Sequence, residues 1–278
     1  MLGVIIIFFS TFFDEIAISI AKVKLSQKQI SIYSIGAINC LVVVLIFIFV
    51  NIIKHEFRFS AASLPFVLAE AIFNIILTTI VLRAMAQADR STFSFIRVLT
   101  MPLLLLTDLA LGYKINIFQL TGIGIIILSL FLVYIYHGIR KKGALLTLIT
   151  AILAVVTLSL YKYNITHYNS VEVEQTIINS ALIIYLWLMA YFKAKENPFA
   201  FLRQKIYFFQ ALINIIPSFA NSYAYAFAPA SVILSAYRSS AVFWSVVSGK
   251  VYFKEERLLI KLLCLVLLIG GIILLAVN

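Results

Sequence analysis

Apolar positions in this chain fall in long unbroken runs, and polar positions fall in short clusters between them. Leu41 to Ile53 and Leu262 to Val277 are two such runs. A helix needs about 20 mostly apolar residues to cross a bilayer. On that criterion the sequence predicts ten spans, at 3–21, 31–53, 63–83, 91–112, 116–137, 143–163, 173–192, 206–226, 230–250 and 258–277. The runs do not alternate in period two, as the strands of a membrane barrel would. Backbone groups in lipid must be satisfied within the segment, so unbroken runs mean helices. The predicted class is an all-α integral membrane protein with short loops and no soluble domain. The first run lacks a basic leader and a small-residue cleavage site, so it reads as helix one rather than a removable signal.

Composition agrees. Of 278 residues, 63% are hydrophobic and 12% are charged, against roughly 25% charged in soluble domains. The net charge of +11 would suit nucleic acid, but its placement does not. Lys and Arg number 22, and all but Arg97 and Arg238 lie in predicted loops or at span ends. Loops one, three, five, seven and nine hold 16 of these 20, and the other side holds Lys54, Arg58, Lys114 and Lys162. Basic loops set membrane orientation, and by that rule the richer side is cytoplasmic and both termini are outside. Cys40 and Cys264 both fall within spans, so neither a disulfide nor a metal site is indicated. No Gly-rich phosphate loop and no His cluster is present, and no cofactor is expected.

The chain also repeats itself. Shifted by 140 residues, 67–91 meets 207–231 with eight identities in 25 positions. Ala71, Asn74, Ile75 and Ile76 meet Ala211, Asn214, Ile215 and Ile216. Ala84, Ala86, Ala88 and Ser91 meet Ala224, Ala226, Ala228 and Ser231. Glu70 meets Gln210, Thr78 meets Ser218, and after one inserted residue Arg97 meets Arg238. The repeats are residues 1–140 and 141–278. Five helices is an odd number, so the halves cross the membrane in opposite directions. Inverted repeats are a recurring plan of secondary transporters, with the substrate held where the halves meet.

From Ala224 to Leu275 the sequence carries alternating alanines, a turn at Ala228-Pro229-Ala230-Ser231, a helix, a charged loop at Glu255-Glu256-Arg257 and a Gly-Gly-bearing last helix. The first half repeats this more loosely, through Asp89-Arg90-Ser91 to Gln119 and Gly122. In these features the chain resembles the drug/metabolite transporter superfamily, specifically its ten-helix EamA-type members, over nearly its whole length. The resemblance implies two inverted five-helix repeats that move a small metabolite. It also implies cytoplasmic termini, opposite to the charge count. Phe12-Phe13 and Thr157-Leu158 stand where such members carry Trp-Gly or Trp-Ala.

Ionisable groups inside spans are costly and mark functional sites. Asp14 and Glu15 sit in helix one, about 100° apart around the helix. One of them would bind an amine or carry a coupling proton, or both would sit at a wet interface near Lys22 or Lys24. The small multidrug members of the superfamily use a first-helix carboxylate in this way. Glu70, Asn74 and Thr78 form one polar stripe on span three, and Gln210, Asn214, Ser218, Asn221 and Tyr225 form another on span eight. Such stripes line a cavity or bond between helices. Arg97 and Arg238 lie inside spans four and nine, where either would hold a carboxylate or phosphate or else snorkel; Arg97 would alternatively pair with Glu70. Asp108, near Lys114, reads as interfacial. Tyr223, Tyr225, Tyr237 and Trp244 would wall a pocket, and Pro102 and Pro217 would kink their spans.

The expected function is secondary transport of a small, possibly amino-acid-like metabolite across the plasma (inner) membrane. A proton or cation gradient, or the solute's own gradient, would drive it. The candidate residues are Asp14, Glu15, Glu70, Asn74, Arg97, Gln210, Asn214, Asn221, Tyr225 and Arg238. Partners are the solute, the bilayer and a coupling ion, with no nucleic acid. The alternative is a non-transporting membrane subunit or lipid-handling partner protein. No residue set supports an enzyme, and no ring of repeated charge supports a channel.

Overall fold

The apolar runs fold as helices, capped where the polar clusters begin. A computed structural model describes residues 2–55, 57–87, 96–137, 143–253, 266–267 and 269–275. Its long helices are α1 (Leu2–Ser26), α2 (Ile32–Lys54), α3 (Leu64–Gln87), α4 (Thr100–Ala110) and α5 (Ile117–His137). They continue as α6 (Ala144–His167), α7 (Val171–Met189), α8 (Lys205–Phe227) and α9 (Ala230–Phe253). No strand occurs among the described residues. Of the predicted tenth span, residues 266–267 and 269–275 are helical. The rest of that span, Cys264 and the loops bearing Arg90, Arg140 and Glu255 lie outside the described residues.

By length and apolar composition, five segments among the described residues are able to cross a membrane: Leu2–Ala21, Ile32–Lys54, Ala61–Val81, Ala144–His167 and Val171–Ala194. The bundle is apolar outward, and its apolar interior encloses polar and ionisable groups. Leu45, Phe49 and Ile52 of α2 face out, as do Ile184 and Tyr191 along α7, while Glu70, Asp108, Lys162, Asn164 and Glu174 are buried. This polarity suits a lipid surround.

Packing partners come in matched sets. α2 packs on α7, α1 on α8 and α3 on α6. α1 meets α9 where α6 meets α4, and α2 meets α8 where α7 meets α3. Exchanging α1–α4 with α6–α9 leaves the α2–α7 pairing unchanged and maps each of the others onto another.

Loop contacts define one end of the bundle. Ser170 N donates to Arg58 O at 2.9 Å, and Tyr113 Oη donates to Thr166 at 3.4 Å. Gly3 of α1 sits against Ala224 and Phe227 of α8. This is the sparsely charged end, with Arg58 and Lys114. At the opposite, basic end, Ser31 caps α2 by accepting from Ser34 N. There Glu196, just past a π-helical turn at Ala190–Ala194, accepts from Ser31 N at 3.0 Å and Ser34 Oγ at 2.6 Å. A carboxylate at a helix N-terminus satisfies orphan N–H groups and complements the helix dipole.

Two differences from the sequence expectation have clear causes. Pro102 does not kink a continuous helix. It removes the N–H that would bond to residue 98, and a 3₁₀ turn at Arg97–Leu99 precedes α4. Lys162, placed by charge counting with the exposed basic groups, is buried, and its Nζ donates to Tyr225 O.

Two measurements test this packing. A Cβ on Gly271 would lie 2.5 Å from Ile126 Cγ1, and one on Gly122 would lie 2.9 Å from Gly271 O, whereas Gly124 faces open space. Gly271→Leu should cost about 1–3 kcal/mol by overpacking, and Gly124→Ala almost nothing, in thermal unfolding of the purified protein. The second concerns Glu196. Burial opposes its ionisation, but the hydrogen bonds from Ser31 and Ser34 outweigh it and hold the carboxyl below the usual glutamate range. A depressed carboxyl pKa adds stability above the unfolded-state value and loses it as pH falls through the folded one. Glu196→Gln should therefore lower Tm at neutral pH, and the gap should close in acid.

Candidate functional site

Polar faces of six segments converge on one open-mouthed cavity of about 350 Å³. From α3 come Glu70 and Asn74, and from the turn before α4 comes Arg97. α6 supplies Thr157 and Tyr161, and α7 supplies Gln175 and Asn179. α8 adds Asn221 and Tyr225, and α9 adds Tyr237 and Arg238. Leu77, Leu158, Ile178, Leu182 and Leu234 fill the wall between them. The polar lining residues of α3, α7, α8 and α9 lie in the half of each helix nearer the sparsely charged end, so the polar part of the cavity is off-centre.

Opposite charges occupy different walls. Glu70 is 2% exposed, and its Oε2 accepts from Asn164 Nδ2 at 3.2 Å. The same amide donates to Glu174 Oε1 at 2.8 Å. Asn169 Nδ2 donates to Glu174 Oε2 at 2.6 Å and to Ser63 Oγ at 2.9 Å. Arg97 and Arg238 therefore do not pair with Glu70, although all three line the cavity. Arg238 lies beside the ring of Tyr237, 5.9 Å from its centroid, and its buried Nε has no hydrogen-bond partner among the described residues.

Six of the ten candidates line this space: Glu70, Asn74, Arg97, Asn221, Tyr225 and Arg238. Asp14 stands one step behind it, accepting from Tyr237 Oη at 2.5 Å. Glu15 is half-buried outside the lining. Gln210 and Asn214 are also outside it, because they lie toward the basic end of α8. Gln210 is buried, and Asn214 donates to Ser218 at 3.3 Å. Asp108 is not interfacial: it is 1% exposed and accepts from Ser231 N at 2.6 Å, capping α9. Of the four aromatic candidates, Tyr225 and Tyr237 line the cavity. Trp244 packs on Phe8 and Phe12 and donates to Phe8 O, while Tyr223 donates to Glu172.

Sequence reasoning passed over α6 and α7. Thr157, Tyr161 and Asn164 recur at spacings of four and three, and Gln175 and Asn179 at four. The stripe rule applied to spans three and eight would have found them.

The sparsely charged end is cross-linked by polar side chains. Tyr161 Oη donates to Ser222 O at 2.9 Å, tying α6 to α8. Lys54 of α2 pairs with Glu172 of α7 at 2.5 Å and donates to Tyr223 Oη of α8 at 3.1 Å. A larger hollow of about 770 Å³ lies beside this clasp, but its lining of Ile48, Ile52, Phe57, Phe59, Val173 and Ile177 is chiefly apolar and much of it faces outward.

No protein-family model and no curated protein matches the chain. A solved structure described only as a crystal structure of a protein is similar in fold. It has a TM-score of 0.76 and 10% identity, over 100% of this chain and 99% of that one.

The clasp gives a test. Lys54→Met leaves the buried Glu172 carboxylate without its cation and should cost about 1–2 kcal/mol. Lys54→Met combined with Glu172→Gln should recover part of that loss. Thermal unfolding of both single variants and the double variant measures the coupling.

Proposed function

We propose that this chain is a secondary transporter of a small zwitterionic, amino-acid-like solute in the plasma membrane, and a distant ten-helix member of the drug/metabolite transporter superfamily. The observation that carries the reading is one open-mouthed cavity with carboxylate and guanidinium groups on separate walls. A solute ammonium would meet Glu70, and its carboxylate would meet the planar forks of Arg97 and Arg238. Leu158, Ile178, Leu182 and Leu234 would take an apolar side chain. The cavity volume is at the lower end of small-ligand sites, which suits a metabolite.

The matched packing partners support an inverted repeat, with residues 1–140 and 141–278 as its halves. Alternating access then follows from exchanging the conformations of the halves. The polar part of the present cavity lies toward the sparsely charged end. In the exchanged state its counterpart would lie toward the basic end, lined by Gln210 and Asn214. That accounts for the sequence repeat Glu70/Gln210 without placing both residues in one cavity at once.

Counterflow in liposomes of the purified protein tests the reading. With a panel of zwitterionic, cationic and anionic solutes, exchange should favour zwitterions. Arg238→Met should slow it at least about tenfold, the loss expected for a charge-assisted contact of about 1.5–3 kcal/mol. If no solute exchanges, the alternative of a non-transporting subunit or lipid-handling partner stands in its place.

A further inference from the structure

The carboxyls of Glu70 and Glu174 are brought together on one amide: Asn164 Nδ2 donates to Glu70 Oε2 at 3.2 Å and to Glu174 Oε1 at 2.8 Å. They come from α3 and α7, and both are buried, at 2% and 0% exposure. Neither has an ion pair among the described residues, where Lys54 with Glu172 is the salt bridge formed. Two ionised carboxylates are acceptors only, so they repel when they meet. One proton removes that repulsion.

No cation forms a salt bridge with the pair among the described residues, although Arg97 and Arg238 line the same cavity as Glu70. α6 presents Asn164, which donates to both carboxyls, and Tyr161, whose hydroxyl donates to Ser222 O. Besides Glu174, α7 presents Gln175 at the cavity and Glu172, the latter held by Lys54. The turn before α3 presents Ser63, and the loop before α7 presents Asn169. Lys162 of α6 donates to Tyr225 O. Asn164 Oδ1 is buried without a hydrogen-bond partner, an acceptor that a carboxylic acid O–H would satisfy.

We propose that Glu70, facing Glu174 across the Asn164 amide, is a proton-binding site. Its proton latches α3 of the first half to α6 and α7 of the second, at the sparsely charged end. With the proton bound, the two halves are joined through the carboxyl pair and Asn164. When the proton leaves through the cavity, two negative charges face each other and α3 separates from α7. Proton binding and cavity access thereby become one equilibrium. The proposal supplies the coupling ion for the transport reading, but its proton site is testable without any solute.

The test uses the full chain, with Cys40→Ser and Cys264→Ser, in liposomes. Thr157→Cys places a thiol in the cavity, and Lys114→Cys places an exposed reference thiol at the sparsely charged end. A membrane-impermeant maleimide is added from that end across a pH series, and the ratio of the two labelling rates removes the reagent's own pH dependence. The ratio should rise about tenfold with pH, within the usual range of coupling between linked sites. It should stay flat in Glu70→Gln and in Glu174→Gln, where no pair of anions forms. Either variant suffices if the other elutes aggregated. A flat ratio in the parent, or the parent's rise retained in a folded variant, overturns the latch. A counterflow assay with no transported solute would defeat the transport reading and leave this result standing.

Discussion

Everything in this molecule depends on keeping ionisable groups inside an apolar bundle. A charge moved out of water there has no solvent to fall back on, so each must find a partner or neutralise. The structure meets that demand in distinct ways. Lys54 and Glu172 pair across α2 and α7. Asp108 spends its carboxylate on the N-terminus of α9. Lys162 donates to a backbone carbonyl at the end of α8. Glu70 and Glu174 share the Asn164 amide as donor. Helix association in lipid draws little from hydrophobic burial, so these polar links and close packing do much of the joining.

The links also place the cavity. Those at the sparsely charged end draw α3, α6, α7 and α8 together, and the polar lining begins just inside them. Arg238 lines the wall beside Tyr237, its buried Nε unpartnered among the described residues.

Much of this was legible in the sequence, for a physical reason. Apolar runs long enough to cross lipid are unambiguous, so the helices and their order could be read directly. Glu70, Asn74, Asn221 and Tyr225 were visible because a polar stripe at helical spacing in an apolar run has few uses. Depth along the helix was not visible. Gln210 and Asn214 share the stripe of Asn221, yet they lie too far toward the basic end to reach the same cavity. Partner choice was hidden too, because it depends on neighbours brought together from distant positions. Asp108 looked interfacial beside Lys114 and instead caps a helix 123 residues away in sequence. Glu174 stood near a predicted span end, where an acidic residue is ordinarily solvated, and is fully buried.

The fastening of α2 to α7 has a mechanical meaning. These antiparallel helices are tied at one end by Lys54 and Glu172 and at the other by Glu196 on Ser31 and Ser34. In the proposed exchange of halves, α2 and α7 would take each other's places, so the pair would map onto itself. A strut pinned at both ends resists opening at either, and in that exchange it would serve as the fulcrum about which the remaining helices tilt.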